Sequence, residues 1–451
     1  MIYSILFISS LIILITYKKS YAYLLLPILT SAYLIIPMIM INIFGLPLST
    51  FFTISKDIVL FLLLIISLYA HYKNNQLIIP KDILHIYFAI LFYVLILIFV
   101  LNQPFIYRVK SSLLYFYLLS AFIVGYLTID KKYIDTLIKT YIVFSMITIV
   151  FSVIDTYLFQ GSIFWDYLGG TELKASINID TTYDEDYLKY YHGQTLSWIF
   201  PRLFDLNGNI LPLANSLVYS LVLYVCIYNN NRLSDLLIIL IILLGLFLSS
   251  GRTAMVYGGS FLIVYYLFID KKNFIGISYL SLIIIFLIST GFYKIIWFFI
   301  EKAYQDYFVS SDHYHYSGPI NGLKTILYNP LGVGWGNESS MRITGLKIIN
   351  TGGNNIYTPL GGQTGILGLT LFIYFLFDKL YKLIRNRKKV NYQNKGFVTG
   401  AIFCLLFFIL QGLNQKAVLG WHSVPIFVLI GYNISIIINR NYRTTYEINK
   451  I

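Results

Sequence analysis

The chain is a succession of apolar runs separated by short polar connections. Each run is about 20 residues long, the length of α-helix that crosses the apolar core of a bilayer. Runs begin near residues 2, 21, 57, 83, 111, 136, 210, 236, 253, 274, 356, 396 and 421. The pattern predicts that residues 1–451 form one all-α, polytopic transmembrane helix bundle of about 12–13 spans.

Composition narrows the class of protein. Of the 451 residues, 58% are hydrophobic and 12% charged, and the mean hydropathy of +0.72 excludes a soluble globular enzyme. An aromatic content of 18% excludes a disordered chain. The two cysteines, Cys226 and Cys404, lie inside apolar runs, which excludes a disulfide framework and a cysteine-based zinc site.

Charge is distributed unequally between the two sets of connections that alternate along the chain. One set carries 20 basic and 7 acidic residues and the other 13 of each, so the net charge of +13 comes entirely from the first set. Basic connections face the cytoplasm in membrane proteins. The segment 378–395 is therefore predicted to be a basic cytoplasmic loop that contacts anionic lipid rather than nucleic acid.

Two connections, at residues 160–209 and 293–355, are long enough to carry chemistry. Both belong to the set opposite the basic one and are predicted to be extracytoplasmic loops. The sequence has no internal repeat and no inverted pair of interrupted spans, which counts against a secondary transporter.

A first motif, Ser-Ser-Gly-Arg-Thr-Ala-Met at residues 249–255, joins two apolar helices on the predicted outer face. Ser250 or Thr253 is the expected helix cap. The N–H groups at the helix start and the guanidinium of Arg252 together suit a phosphate or pyrophosphate. An arginine that extends to the lipid interface is the alternative interpretation.

A second motif, Asn-Pro-Leu-Gly-Val-Gly-Trp-Gly-Asn-Glu at residues 329–338, has glycine at every second position. Gly332, Gly334 and Gly336 allow the backbone to approach a ligand or another helix closely, and both interpretations stay open. A nucleotide-binding loop is excluded, because the Lys-Ser/Thr pair of a P-loop is absent.

A third motif, Thr-Gly-Gly-Asn-Asn-Ile-Tyr-Thr-Pro-Leu, begins at residue 351 and continues as Gly-Gly-Gln-Thr-Gly-Ile-Leu-Gly-Leu to residue 369. Asn354 is one candidate helix cap, and Thr358 followed by Pro359 is the other. Either choice directs a helix N-terminus outward. Because the second motif is close in sequence, the two motifs are predicted to share a pocket.

The order and spacing of Ser-Gly-Arg-Thr, Asn-Pro-Leu-Gly-Val-Gly-Trp-Gly-Asn, Asn-Asn-Ile-Tyr and Gly-Ile-Leu-Gly-Leu resemble those of the O-antigen polymerase/O-antigen ligase superfamily. The motifs cover residues 249–369, and the polytopic layout is similar over most of the chain. The resemblance implies a glycosyltransferase of the bacterial inner membrane that uses undecaprenyl-pyrophosphate-linked glycans at the outer face. Ligases typically have histidine where this chain has Asn354, and since asparagine cannot act as a base, the polymerase (Wzy-type) branch is favoured.

The resemblance thus predicts a polymerase of lipid-linked repeat units for O-antigen or capsular polysaccharide. Expected partners are the lipid-linked oligosaccharide, membrane lipid, a flippase and a chain-length regulator, with no nucleic acid. The alternatives are a ligase that transfers glycan to lipid A core and a flippase or transporter of the same lipid. Pyrophosphate is already a good leaving group, so no metal, nucleotide or other cofactor is expected.

Site residues follow from this chemistry. Arg252 is expected to hold the pyrophosphate, with Arg202 and Arg342 from the long loops as helpers. Glu338 is the first candidate for the general base and His313 the second. A metal at His313 and His315 is the weaker interpretation, because no third ligand stands at a diagnostic spacing. The expected substrate loop comprises Gly332, Gly334, Gly336, Asn337, Asn354, Asn355 and Tyr357.

Overall fold

The computed structural model describes residues 15, 19–31, 55–73, 105–128, 130–159, 163, 203, 210–229, 233–249, 252–269, 309–335 and 355–448. Within these ranges the chain is all-helical and contains no strand, which confirms the predicted class. The helices are α1 (Lys19–Ser31), α2 (Ser55–Lys73), α3 (Phe105–Tyr126), α4 (Lys131–Val153), α5 (Ile210–Leu223), α6 (Leu233–Ser249), α7 (Arg252–Val264), α8 (Val309–Tyr328), α9 (Tyr357–Asn386), α10 (Tyr392–Gly412) and α11 (Val424–Ile448).

Several of these helices could cross a membrane. By length and composition, five segments in the described part of the chain qualify: Lys131–Leu158, Leu211–Tyr228, Tyr357–Lys389, Asn394–Gly412 and Trp421–Ile438. Shorter apolar stretches lie in α2, α3, α6 and α7. Every predicted span that falls on the described residues coincides with a helix, and the runs that begin near residues 2, 83 and 274 lie outside those residues.

Two connections differ from the sequence-based expectation. The predicted loop 293–355 contains the 20-residue helix α8. The predicted loop 378–395 is mostly helical, because α9 runs to Asn386 and continues as a 3-10 turn to Lys389. An ion pair between Asp378 and Lys382, 3.0 Å long and one turn apart, stabilises this extension of α9. Of the loop 160–209, the structure describes only Ile163 and Leu203.

The centre of the bundle is α11, which packs against α1, α3, α4, α9 and α10. Its closest partner is α3, and glycines set the spacing of this pair. A Cβ atom on Gly125 would collide with the carbonyl of Val428, and one on Gly431 would collide with the carbonyl of Phe122. The two backbones therefore touch, an arrangement that small residues allow between membrane helices.

Side-chain contacts show which helix ends lie together. Lys131 at the start of α4 lies 4.8 Å from the ring of Phe397 at the start of α10, and Lys139 forms a 2.7 Å ion pair with Asp135. Arg387 Nε donates to Thr399 Oγ1 at 2.9 Å. We call this the basic end, defined by Lys131, Lys139, Lys382 and Arg387.

The other end of the bundle, the loop end, is defined by the turn 329–335 and the junction 413–423. Helices α9 and α10 are antiparallel and run between the two ends. At the loop end Ile356 N, just before α9, donates to Gly412 O, the last residue of α10, at 2.8 Å. At the basic end residues 387–391 connect the two helices. The start of α7 and the end of α6 lie at the loop end as well, because the ring contacts of α7 with α10 place Tyr257 beside Phe407 and Phe261 beside Phe403.

Candidate functional site

Asn355 caps the start of α9. Its Oδ1 accepts hydrogen bonds from the backbone N of Tyr357 at 2.9 Å and of Thr358 at 2.8 Å, and from Thr358 Oγ1 at 3.1 Å. Of the two caps expected from the sequence, Thr358 is already helical, and Asn354 lies outside the described residues. Asparagine is well suited here, since its short side chain reaches two otherwise unpaired N–H groups.

Helix α9 is broken at Gly365, whose φ is 73° and ψ −174°. A straight helix of its 30 residues would be about 45 Å long, whereas the 21 residues of α10 reach only about 32 Å. The non-helical φ/ψ of Gly365 makes a kink in the longer helix. The break separates a first segment, Tyr357–Thr364, from a second that starts at Ile366.

The second motif packs directly onto this break. Val333 N and Gly334 N donate to the carbonyls of Gly362 and Gln363, each at 2.9 Å, and Ile366 N donates to Pro330 O at 2.9 Å. Gly332 and Gly334 have φ values of 88° and 90°. A side chain at Gly332 would collide with the backbone around Gln363 and Gly365. Gly332 and Gly334 thus let the backbone of the turn 329–335 lie in direct contact with the backbone of α9.

Helix α3 supports the contact between the two motifs. Ser111 Oγ donates to Gln363 Oε1 at 2.7 Å, and Gln363 Nε2 donates to Pro359 O at 3.1 Å. Tyr115 donates to Ile356 O at 3.2 Å, and its ring centroid lies 5.7 Å from that of Trp335. Trp335 is fully buried, and its indole N–H has no hydrogen-bond partner.

The first motif lies beside the third. Tyr357 donates to Ile409 O at 2.8 Å, and the ring of Tyr257 in α7 lies 5.4 Å from that of Phe407, half a turn away on α10. Arg252 is the first residue of α7 and precedes Tyr257 by little more than one turn. The start of α7 and the start of α9 therefore flank the same stretch of α10. The side chain of Arg252 lies outside what the structure describes.

A polar cluster at the loop end was not predicted from the sequence. Asn215 and Gln411 are fully buried and joined by a 3.1 Å hydrogen bond, and Gln411 also donates to Gln415 Oε1 at 2.7 Å. His422 is buried with its ring centroid 6.2 Å from that of Tyr219, which pairs with Ser423 at 3.2 Å. No local signal links these residues, because their partners are about 200 positions apart in sequence.

Three atoms of this cluster are buried without a hydrogen-bond partner: Asn215 Nδ2, Gln411 Oε1 and His422 Nε2. Exchanging the O and N positions of both side-chain amides, Asn215 and Gln411, would not pair these atoms. Each amide would still use one end for the hydrogen bond between the two, and its other end would stay without a partner. Such groups are uncommon in folded proteins and destabilise them by about 1–3 kcal/mol each. We call Asn215, Gln411 and His422 the unpaired cluster.

The side chains of the remaining predicted site residues are not among those that the structure describes. Arg202, Arg342, Gly336, Asn337 and Glu338 lie outside the described residues. His313 belongs to α8, but its side chain is not among those described. Asp155, which follows α4 at the loop end, is buried and accepts from Ile163 N at 2.9 Å.

Over the described ranges, no group of three His, Cys, Asp or Glu side chains could hold a metal ion. No protein-family model matches this chain, and no curated protein matches it.

Proposed function

We propose that this protein polymerises oligosaccharide repeat units linked to a polyprenyl pyrophosphate, such as undecaprenyl pyrophosphate, for O-antigen or capsular polysaccharide. The resemblance of its three motifs to the polymerase branch of the superfamily suggests this activity. One observation carries the proposal furthest: the second and third motifs are in direct backbone contact, and the first begins a helix that packs on the same part of α10. Motifs that serve one substrate need this proximity.

The reaction replaces the pyrophosphate on the anomeric carbon of the donor with the oxygen of the acceptor sugar. The hydroxyl of the acceptor sugar attacks the anomeric carbon of the donor, the bond from that carbon to the pyrophosphate oxygen breaks, and the hydroxyl proton passes to a base. Arg252 at the start of α7 stabilises the departing diphosphate with its guanidinium and the adjacent helix N–H groups, with Arg202 and Arg342 as helpers. Glu338 or His313 takes the proton.

Orientation follows from charge. The basic end, with Lys131, Lys139, Lys382 and Arg387, faces the cytoplasm by the positive-inside rule, so the loop end faces outward from the inner membrane. Lipid-linked repeat units reach that side after translocation. Their polyprenyl chain stays in the outer leaflet, and the diphosphate then lies at the depth of the helix starts.

A flippase or transporter of the same lipid is the second candidate. The break at Gly365 favours it, because interrupted helices line the binding sites of many transporters. The two functions differ in their products. A flippase changes the side on which the lipid-linked unit is found and leaves its length unchanged.

The test uses purified protein in vesicles with pyrophosphate-linked repeat units, without nucleotide or added metal. We expect the units to become longer polymers. Arg252→Lys retains the charge but loses the two-pronged contact, so elongation should decrease about tenfold or more. Translocation without elongation would favour the flippase, and full activity of Arg252→Lys would remove the proposed role of Arg252. Asn354→His tests the ligase alternative, since a gain of transfer to lipid A core would support it.

A further inference from the structure

Helix α8 has one face against α9 and an exposed apolar face opposite to it. On the inner side, the buried side chain of Ile326 fills the space beside Gly361 of α9. On the outer side, Ile320 and Leu323 are 52% and 53% exposed, and Leu327 is 75% exposed. The spacing of these three positions places them on one stripe along the helix.

The exposed apolar surface of α8 is continuous with that of α9. Pro330 O accepts from Ile366 N, so the turn 329–335 lies directly against the start of the second segment of α9. Leu331 in this turn is exposed, and so are Ile366 and Leu367 beside it. Farther along α9, within a segment long and apolar enough to cross a membrane, the exposed stripe goes on through Tyr374, Phe377 and Tyr381. One apolar surface thus runs from a candidate membrane span, over the turn, to α8.

Polar groups border the stripe of α8. Lys324 and Tyr328, one turn apart, are exposed along one of its edges. Both side chains combine an apolar body with a polar tip, as is common at the level of the lipid headgroups. The first half of the helix, residues 309–318, is rich in serine and histidine, and α8 is not among the described segments that qualify as spans. These features are typical of a helix that lies at the surface of a bilayer and does not cross it.

The surroundings of this face follow from its continuity with α9. Water is disfavoured, because clusters of exposed apolar side chains are uncommon on surfaces in contact with water. The acyl chains that surround the α9 span also reach the adjoining turn and α8. Continuity therefore favours lipid over a second copy of the chain.

We propose that α8 lies in the leaflet of the bilayer at the loop end. Its apolar stripe of Ile320, Leu323 and Leu327 contacts acyl chains, and the Lys324 ammonium reaches the lipid phosphates. Helices of this kind bury their apolar face about 5–10 Å into the boundary between headgroups and acyl chains. Part of the predicted extracytoplasmic loop 293–355 is then a membrane-bound helix, and the second motif, which follows α8, borders the lipid phase. The inference depends neither on the polymerase activity nor on which side the loop end faces.

The test measures which quenchers reach a fluorophore on the full-length protein in phospholipid vesicles. The fluorophore is attached to Leu327→Cys or, as a second position on the stripe, Ile320→Cys. Asn414→Cys, exposed in the α10–α11 junction, is the matched reference for water, and Phe377→Cys on α9 is the reference for lipid. The parent chain gives the background from its own cysteines, which lie within the bundle.

Three quenchers separate the possible surroundings: a phospholipid with a spin label near the top of its acyl chain, one with the label at the chain end, and aqueous iodide. We expect the first to quench Leu327→Cys and Ile320→Cys at least about threefold more strongly than Asn414→Cys, because the stripe lies among acyl chains. Iodide should show the opposite order. The chain-end label should act more strongly on Phe377→Cys than on Leu327→Cys.

Three results would overturn the proposal. Quenching of both α8 labels by iodide but not by lipid would place the helix in water. Protection from all quenchers would show that protein covers the face, as in a complex between two copies of the chain. Stronger quenching of Leu327→Cys by the chain-end label than by the shallow one would place α8 near the centre of the bilayer.

Discussion

The two ends of the bundle differ in the polar groups that they hold. At the basic end charges are paired: Asp378 with Lys379 and Lys382, and Lys139 with Asp135. At the loop end the members of the unpaired cluster are neutral and leave three buried atoms without hydrogen-bond partners, while the buried carboxylate of Asp155 accepts from Ile163 N. The basic end includes one such atom too, Asn394 Oδ1. Buried polar atoms without partners are uncommon in folded proteins. On the proposed function, the basic end orients and anchors the protein, and the loop end bears its chemistry.

The largest effect is expected at the contact between the second motif and α9. Gly332→Ala forces a side chain into the left-handed region and against the backbone of Gln363, so it should destabilise the protein by about 3 kcal/mol and abolish elongation. Thermal unfolding in micelles measures the change. Gly259→Ala is the control, because open space surrounds that helical position and alanine should be neutral or stabilising there. Equal unfolding temperatures for the two variants would contradict the contact.

A smaller loss is expected when the basic end is disrupted. Lys379 is 2% exposed and Asp378 12%, so Asp378→Asn leaves a buried ammonium without its carboxylate, at an expected cost of about 2 kcal/mol in the free energy of unfolding. Lys379→Met should be milder, since Asp378 keeps Lys382. Combining Asp378→Asn with Lys379→Met should restore most of the stability. If the double variant were the least stable of the three, this ion pair would not be the reason for the loss.

The unpaired cluster should respond in the opposite direction. His422→Phe retains a ring beside Tyr219 but removes the unpaired Nε2, so stability should rise by about 1 kcal/mol while elongation slows. Ser111→Ala at the same end is the contrast, because it removes a 2.7 Å hydrogen bond to buried Gln363 and should lower stability by about 1 kcal/mol. A loss of stability in His422→Phe with unchanged elongation would make the imidazole a purely structural group.

Much of the fold could be predicted from the sequence, because apolar runs of sufficient length specify membrane helices without long-range information. The helices at Ile210, Leu233 and Tyr357 begin within three residues of the predicted starts. Helix α8 was predicted as loop, since its polar sequence with Gly318 and Pro319 lacks an apolar run. The extension of α9 beyond residue 378 was missed because charge was taken to mark a connection.

The candidate site was predictable only in part. The glycine pattern indicated that Gly332 and Gly334 let the backbone approach a ligand or a helix, and the structure describes the helix contact. Asn355 was expected in the substrate loop, and its role as helix cap was missed because Asn354 and Thr358 were the expected caps. The break at Gly365 depends on the contact with the turn 329–335, which no local pattern encodes. The pairs Asn215–Gln411 and Tyr219–Ser423 join distant helices, and a single sequence carries no signal for such contacts.

On the proposed function, the loop end faces the cell exterior, where translocated lipid-linked saccharides would be found. A membrane-impermeant maleimide tests it on intact cells that carry Asn414→Cys or Lys388→Cys, two exposed positions at opposite ends. The parent chain is the control, because Cys226 and Cys404 lie within the bundle. We predict labelling of Asn414→Cys in intact cells and of Lys388→Cys only after permeabilisation. The reverse pattern would place the loop end in the cytoplasm and contradict the account.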